Sequence, residues 1–194
     1  MPVGQAQRDR CEAIRDKALE LFGRPDVGDC ESLAQLTEWA LTEFKDVYLG
    51  SYNNDEETFV EDFTLVLTDR SEWVFTGKRT EDFDLYAQFG FAGDSCFRSV
   101  FKDGSNQVRH FWGYVALSFQ IGSKFLGCCA TFRELFPPEP ADQALGVIGA
   151  QIGAGLDGVG FDLEELADQI RLLLCNQENC VVATGNEEEE EGED

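Results

Sequence analysis

The sequence predicts a mainly α protein, a single-domain bundle of about six to seven helices. Apolar residues recur at helical spacing through most of the chain. Asp, Ser and Thr stand where such runs begin, and Gly or Pro where they end. The 194 residues are 43% hydrophobic with 16 Phe, spread from Phe22 to Phe161, which is enough for one continuous core. The domain is placed at 1–183. Residues 184–194 are nearly all Glu, Gly and Asp, self-repel, and are expected to be a disordered acidic tail.

Gln5 to Phe22 reads as the first helix. Cys11, Ile14, Ala18, Leu21 and Phe22 share a face, and Gly23-Arg24-Pro25 stops it. Asp29 is expected to cap a second helix carrying Leu33, Leu36, Ala40 and Phe44 on one side. Gly50 to Asp55 is turn-rich, and Glu56 to Leu67 reads as a third helix through Phe59, Phe63 and Leu67. Trp73-Val74-Phe75 reads either as one short β element near 72–76 or as a buried loop. Thr80 starts a further helix with Phe83, Ala87 and Phe91. The turn Asp103-Gly104-Ser105-Asn106 leads into a proline-free run, Gln107 to Leu135, as one helix or two. Pro137-Pro138-Glu139-Pro140 ends it. Asp142 is expected to cap a helix over Gln143 to Leu156. Asp162 is expected to cap the last one, Leu163 to Cys175.

Two stripes of small residues predict a central helix pair. Gly113, Ala116, Gln120, Ser123 and Gly127 lie 3, 4, 3 and 4 apart, and Gly146, Gly149 and Gly153 lie 3 and 4 apart. Each glycine costs a helix about 1 kcal/mol against Ala. Such a row is explained by close backbone approach between two helices. The flanks are apolar nearly all round, which places both helices centrally.

Composition narrows function. The net charge is −23, from 38 acidic and 15 basic residues. A nucleic-acid or anionic-membrane surface needs a basic footprint, and no basic cluster exists, so neither partner is expected. An acidic surface suits solubility or a basic protein partner. No apolar leader precedes Glu20, and the uncharged run Phe111–Ser123 is short of the roughly 20 residues a membrane span needs. Seven cysteines, an odd number without a scaffold spacing, then read as reduced thiols of a cytoplasmic protein. One histidine and no Cys-x-x-Cys leave no zinc site to assign, and no cofactor is implied.

The candidate catalytic residues gather around that histidine. Asn106, Arg109 and His110 stand at i, i+3 and i+4, on one face of a helix first turn. A helix N-terminus disfavours cations there, and a neutral imidazole suits a general base. Glu134 and Asp142 are the acidic partners considered. Glu134 lies 24 residues after His110, about 36 Å along a straight helix, so it joins the site only if the chain breaks near Gly122 or Gly127. Asp142 reaches it if its own helix runs back antiparallel.

The stretch Asn106-Gln107-Val108-Arg109-His110-Phe111-Trp112, with Gly122, Ala130, Glu134 and Asp142 to Gly146, resembles a group of uncharacterised bacterial helical domains. These share an Asn-x-x-Arg-His helix start, a later His-Glu pair and an Asp-rich helix, and some occur in polymorphic-toxin-like proteins. The resemblance covers residues 105–149 and implies a hydrolase-like domain. The chain departs from it at Arg133-Glu134, where the pattern has His-Glu, and lacks the Asp-Asn-Asn type of motif. A degenerate copy is therefore one implication.

A rival site places Cys30 at a helix start as a thiol nucleophile, with His110 as base and Asp142 orienting it. Asp29 and Glu31 beside the thiol oppose its ionisation. Three functions remain: an acidic interaction domain that inhibits or regulates a basic protein, a hydrolase-like domain centred on Asn106, Arg109 and His110, and a thiol hydrolase using Cys30 and His110. The interaction reading leads at this level.

Overall fold

The computed structural model describes residues 4–22, 24, 26–50, 55–68, 95–102, 107–121, 140–156 and 160–176. Within them the protein is a helical bundle. Its helices are α1 (Gln5–Phe22), α2 (Asp29–Glu43), α3 (Lys45–Tyr48), α4 (Asp55–Thr68), α5 (Gln107–Ile121), α6 (Pro140–Leu156) and α7 (Leu166–Leu174). Short 3-10 turns cover Ser99–Phe101 and Leu163–Glu165. The only β pairing among the described residues is an isolated antiparallel bridge between Phe97 and Cys175. The β element expected near 72–76, the helix expected after Thr80 and the tail at 184–194 lie outside the described residues.

The core follows the helical periodicity. Cys11, Ile14, Ala18 and Leu21 of α1 are buried, as are Leu33, Leu36 and Ala40 of α2. Phe44 falls just past α2 as its C-cap, donating its N–H to the Ala40 carbonyl. A chain of ring contacts crosses the bundle from Trp39 through Phe44, Tyr48, Phe59 and Phe63 to Trp112 and Phe111. Trp112 is fully buried and donates its indole N–H to the Thr64 hydroxyl at 3.2 Å, so its one polar atom is matched. These rings tie α5 to α4. α1 packs on α2 and α4, and α7 packs on α2.

Caps differ from the sequence reading. Gly28, not Asp29, is the N-cap of α2. Asp29 is the first helical residue, and its carboxylate accepts from the Ser95 N–H at 2.8 Å and hydroxyl at 2.6 Å. The Ser95 hydroxyl in turn accepts the Asp29 N–H at 2.8 Å. A residue 66 positions away thus supplies the cap that local sequence was expected to provide. α6 begins at Pro140, whose missing N–H costs nothing in a first turn. Asp162 makes no side-chain cap bond, and the last helical segment starts as a 3-10 turn.

The small-residue pair forms, with two corrections. α5 and α6 run parallel, not antiparallel: His110 meets Asp142, Tyr114 meets Gly146, and Ser118 donates to the Ala150 carbonyl at 2.7 Å, a constant offset of 32 residues. The glycine stripe of α6 does seat on a backbone. A Cβ on Gly149 would lie 2.9 Å from the Phe111 carbonyl oxygen, and one on Gly153 would lie 2.2 Å from that of Val115. The opposing face of α5, however, is Phe111, Tyr114, Val115 and Ser118, not the Gly113–Ala116–Gln120 row. A Cβ on Gly113 would meet nothing within 4 Å among the described residues. Nor is α6 buried all round, since Val147 and Gln151 are exposed. α5 is described to Ile121, so the break near Gly122 or Gly127 and the residues Ser123 and Gly127 lie outside the described part.

Candidate functional site

The parallel pairing brings the N-terminal ends of α5 and α6 together, and His110 and Asp142 project there one turn into each helix. His110 Nδ1 lies 2.6 Å from Asp142 Oδ1. The side chains are 32% and 13% exposed, so the carboxylate is the inner partner and the imidazole the outer one. A carboxylate in that position accepts the Nδ1 proton and leaves the lone pair on Nε2, the tautomer a general base or a metal ligand needs. Asp142, expected as a helix cap, is instead spent on the imidazole.

Two further residues of α5 frame the pair. Arg109 is half-buried beside His110 and makes no ion pair among the described residues. Gln107 is fully buried at the first position of α5, and neither its carboxamide oxygen nor its nitrogen has a hydrogen-bond partner among the described residues. It precedes His110 by three and Phe111 by four residues, which sets it on the stripe that faces α6. A buried carboxamide left unmatched is costly, and native proteins hold few such groups. Sequence reading passed over Gln107, because a glutamine at a helix start carries no signal until its burial is known. Asn106 and Glu134 lie outside the described residues.

The thiol reading is corrected. Cys30 and Cys175 form a disulfide across 145 residues, with Cα atoms 5.5 Å apart. Cys30 therefore has no thiol to act as a nucleophile in this state, and the chain is not a set of reduced cysteines. No spacing rule selects this pair among seven cysteines; only the packing of α7 on α2 does. Cys11 is buried, and burial together with the Asp62 charge pushes its thiol well above the ordinary range. Cys128, Cys129 and Cys180 lie outside the described residues.

A second polar cluster is internal. Asp62 is fully buried and accepts from Arg10 Nε at 2.7 Å and from the Tyr48 hydroxyl at 2.7 Å. Burial opposes the Arg10 charge, but the Asp62 carboxylate outweighs it and the guanidinium pKa rises. Every charge there is matched, so the cluster reads as a strut between α1, α3 and α4. At the surface, Arg171 of α7 bridges Glu31 and Glu38 of α2, at 2.9 and 2.5 Å. The Glu38 carboxylate held by Arg171 sits below its usual range.

Among the described residues no helix is long and apolar enough to cross a membrane. Comparison with protein-family models, curated proteins and solved structures finds no match to this chain.

Proposed function

We propose that this chain is a hydrolase-type domain whose working group is the His110–Asp142 pair. The observation that supports it is the 2.6 Å contact across two parallel helices, with the imidazole outermost and its Nε2 directed by the carboxylate on Nδ1. In that role Nε2 takes a proton from water or a substrate hydroxyl, and Asp142 holds the imidazolium that results. Gln107, buried with an unmatched carboxamide one turn before His110, supports the same reading, since it offers an NH2 donor group and a carbonyl acceptor to a bound polar group. Arg109 beside it suits an anionic substrate group. The resemblance of residues 105–149 to toxin-type domains points to a test in cells. Bacteria induced to make the chain, with and without an export leader, should lose growth with the wild type and recover with His110→Ala or Asp142→Asn. Recovery of about a hundredfold in colony count is expected, in line with loss of a general base. Equal growth of the wild type and both variants, all folded by circular dichroism, would remove the proposal.

A second reading, the acidic domain that binds a basic protein, is favoured by the disposition of charge. Arg10, Arg15, Lys17, Arg24 and Arg171 are all paired with acids of this chain. Glu12, Glu43, Asp46, Glu56, Glu57, Glu164 and Glu165 are exposed and make no ion pair among the described residues. The excess negative charge is thus left for a partner. Calorimetric titration with a histone as the cationic probe should show affinity falling at least tenfold between low and 0.5 M salt. It should weaken again in Glu56→Gln/Glu57→Gln. Binding indifferent to salt and to those variants would count against it.

A further inference from the structure

The parallel course of α5 and α6 sets two helix starts side by side. His110 meets Asp142 and Ser118 meets Ala150, and the helices begin at Gln107 and Pro140, which puts their first turns level. A helix start carries unpaired backbone N–H groups and the positive end of the helix dipole, and two starts abreast add their fields. The first turn of α5 holds no acid, and Arg109 and His110 stand in it. The acid in the first turn of α6 is Asp142, whose carboxylate is engaged by the imidazole.

Gln107 points to what belongs at that shared end. It is fully buried, and neither its Nε2 nor its Oε1 has a hydrogen-bond partner among the described residues. Helical side chains lean toward the helix N-terminus, so a carboxamide on the first residue of α5 reaches toward the open end of that helix. Its place on the stripe facing α6 carries it toward the start of α6 as well. Exposure is graded across the same end. Pro140 and Gln143 are exposed, Arg109 and His110 are half-buried, and Gln107 is closed off. A ligand that enters beside His110 therefore has the carboxamide at its inner end.

The unmatched atoms select the ligand. The two helix starts and Arg109 favour negative charge. Nε2 donates and needs an acceptor, while Oε1 accepts and needs a donor. A carboxylate or a sulfate ion has no proton to give, so either would leave Oε1 bare. A hydrogen-phosphate group carries charge, several acceptor oxygens and one P–OH donor, and helix starts hold phosphate through their backbone N–H groups. The net charge of −23 repels a polyanion far more than a single phosphate, which favours a small molecule over a nucleic-acid strand. We infer that the joined starts of α5 and α6 bind a hydrogen-phosphate group, free or on a small ester, with Gln107 pairing its hydroxyl and Arg109 its charge. Calling that ligand a substrate rests on the His110–Asp142 reading; the binding site does not.

The test is calorimetric titration of the full chain at about pH 6, where about half of a phosphate ester keeps its second proton. The probes are inorganic phosphate, glycerol phosphate and sulfate at equal ionic strength. The wild type should bind a phosphate probe saturably and at least about tenfold more tightly than sulfate, the difference that one hydrogen bond to a charged group makes. Gln107→Leu should bind phosphate about tenfold more weakly and lose the preference over sulfate. It should melt no lower than the wild type, since it removes an unmatched buried group. Arg109→Met should weaken both anions alike. Tighter binding of glycerol phosphate than of inorganic phosphate assigns the group to an ester, and the reverse order assigns the free ion. No saturable phosphate binding by the wild type, or sulfate bound as tightly, overturns the inference even where growth still depends on His110. Should Gln107→Leu not fold, the wild-type comparison of phosphate with sulfate decides. Phosphate bound by the wild type and by His110→Ala, with no His110-dependent loss of growth, supports the site and removes the hydrolase reading alone.

Discussion

At the scale of single residues, the sharpest consequences come from groups that burial holds in one protonation state. Burial, reinforced by the Asp62 charge, raises both the Cys11 thiol and the Tyr48 phenol above their ordinary values of 9.0 and 10.0. Folded, both keep their protons; unfolded, both release them. The unfolded chain then binds fewer protons than the folded one above about pH 9, and stability falls as pH rises. The contribution is complete below that pH. It should decline by about 1.4 kcal/mol per pH unit for each group once its ordinary value is passed. Urea denaturation from pH 8 to 11 should show the decline, and Cys11→Ala should flatten its first unit. A level profile would contradict the buried placement of both groups. Residue-scale legibility was uneven. His110 and Asp142 stood out as the only imidazole and a helix-start acid, but the sequence could not show that they touch. Gln107 and the Cys30–Cys175 pair gave no local sign at all, because burial and partner choice are properties of the folded chain.

At the scale of elements, glycine separates what periodicity can and cannot say. Gly113 and Gly153 look alike in sequence, each within a small-residue row on an apolar helix. Their surroundings are opposite. Gly113→Ala meets nothing within 4 Å among the described residues, so α5 should gain helix propensity, a stabilisation of up to about 1 kcal/mol. Gly153→Ala would push a Cβ to 2.2 Å from the Val115 carbonyl oxygen and 2.9 Å from the Phe119 nitrogen. Backbone cannot turn aside as a side chain can, so α5 and α6 must part, at a cost of about 1–3 kcal/mol. Thermal melts of the two variants should move in opposite directions; a shift of the same sign in both would show that the pair is not packed this way. Helix existence and phase were legible from apolar spacing, and α1 spans the residues that its spacing predicts. Helix direction was not. An antiparallel return after the proline-rich turn is the default for a short connection. The 18 residues from 122 to 139 separate two helices that run parallel instead.

At the scale of the whole molecule, charge and connectivity decide how the bundle behaves. With a net charge of −23 and five of its cations paired internally, the protein presents a field that favours cationic partners and is weakened by salt. The salt dependence expected for histone binding is therefore a property of the whole surface, not of one residue. The Cys30–Cys175 link joins the start of α2 to the end of α7 and closes most of the chain into one loop. A link of that span restricts the unfolded chain strongly. The sequence by itself determined the mainly α class, the apolar spacing of the helices, the net negative charge, and the naming of His110 with Asp142 or Glu134 as candidates. Each of these rests on neighbours within a few residues or on a simple sum over the chain. Only the tertiary structure decided the parallel course of α5 and α6, the burial of Gln107, the Ser95 cap and the partner of Cys30. Those are contacts across 32, 66 and 145 residues, and closing such distances depends on how all the helices pack at once.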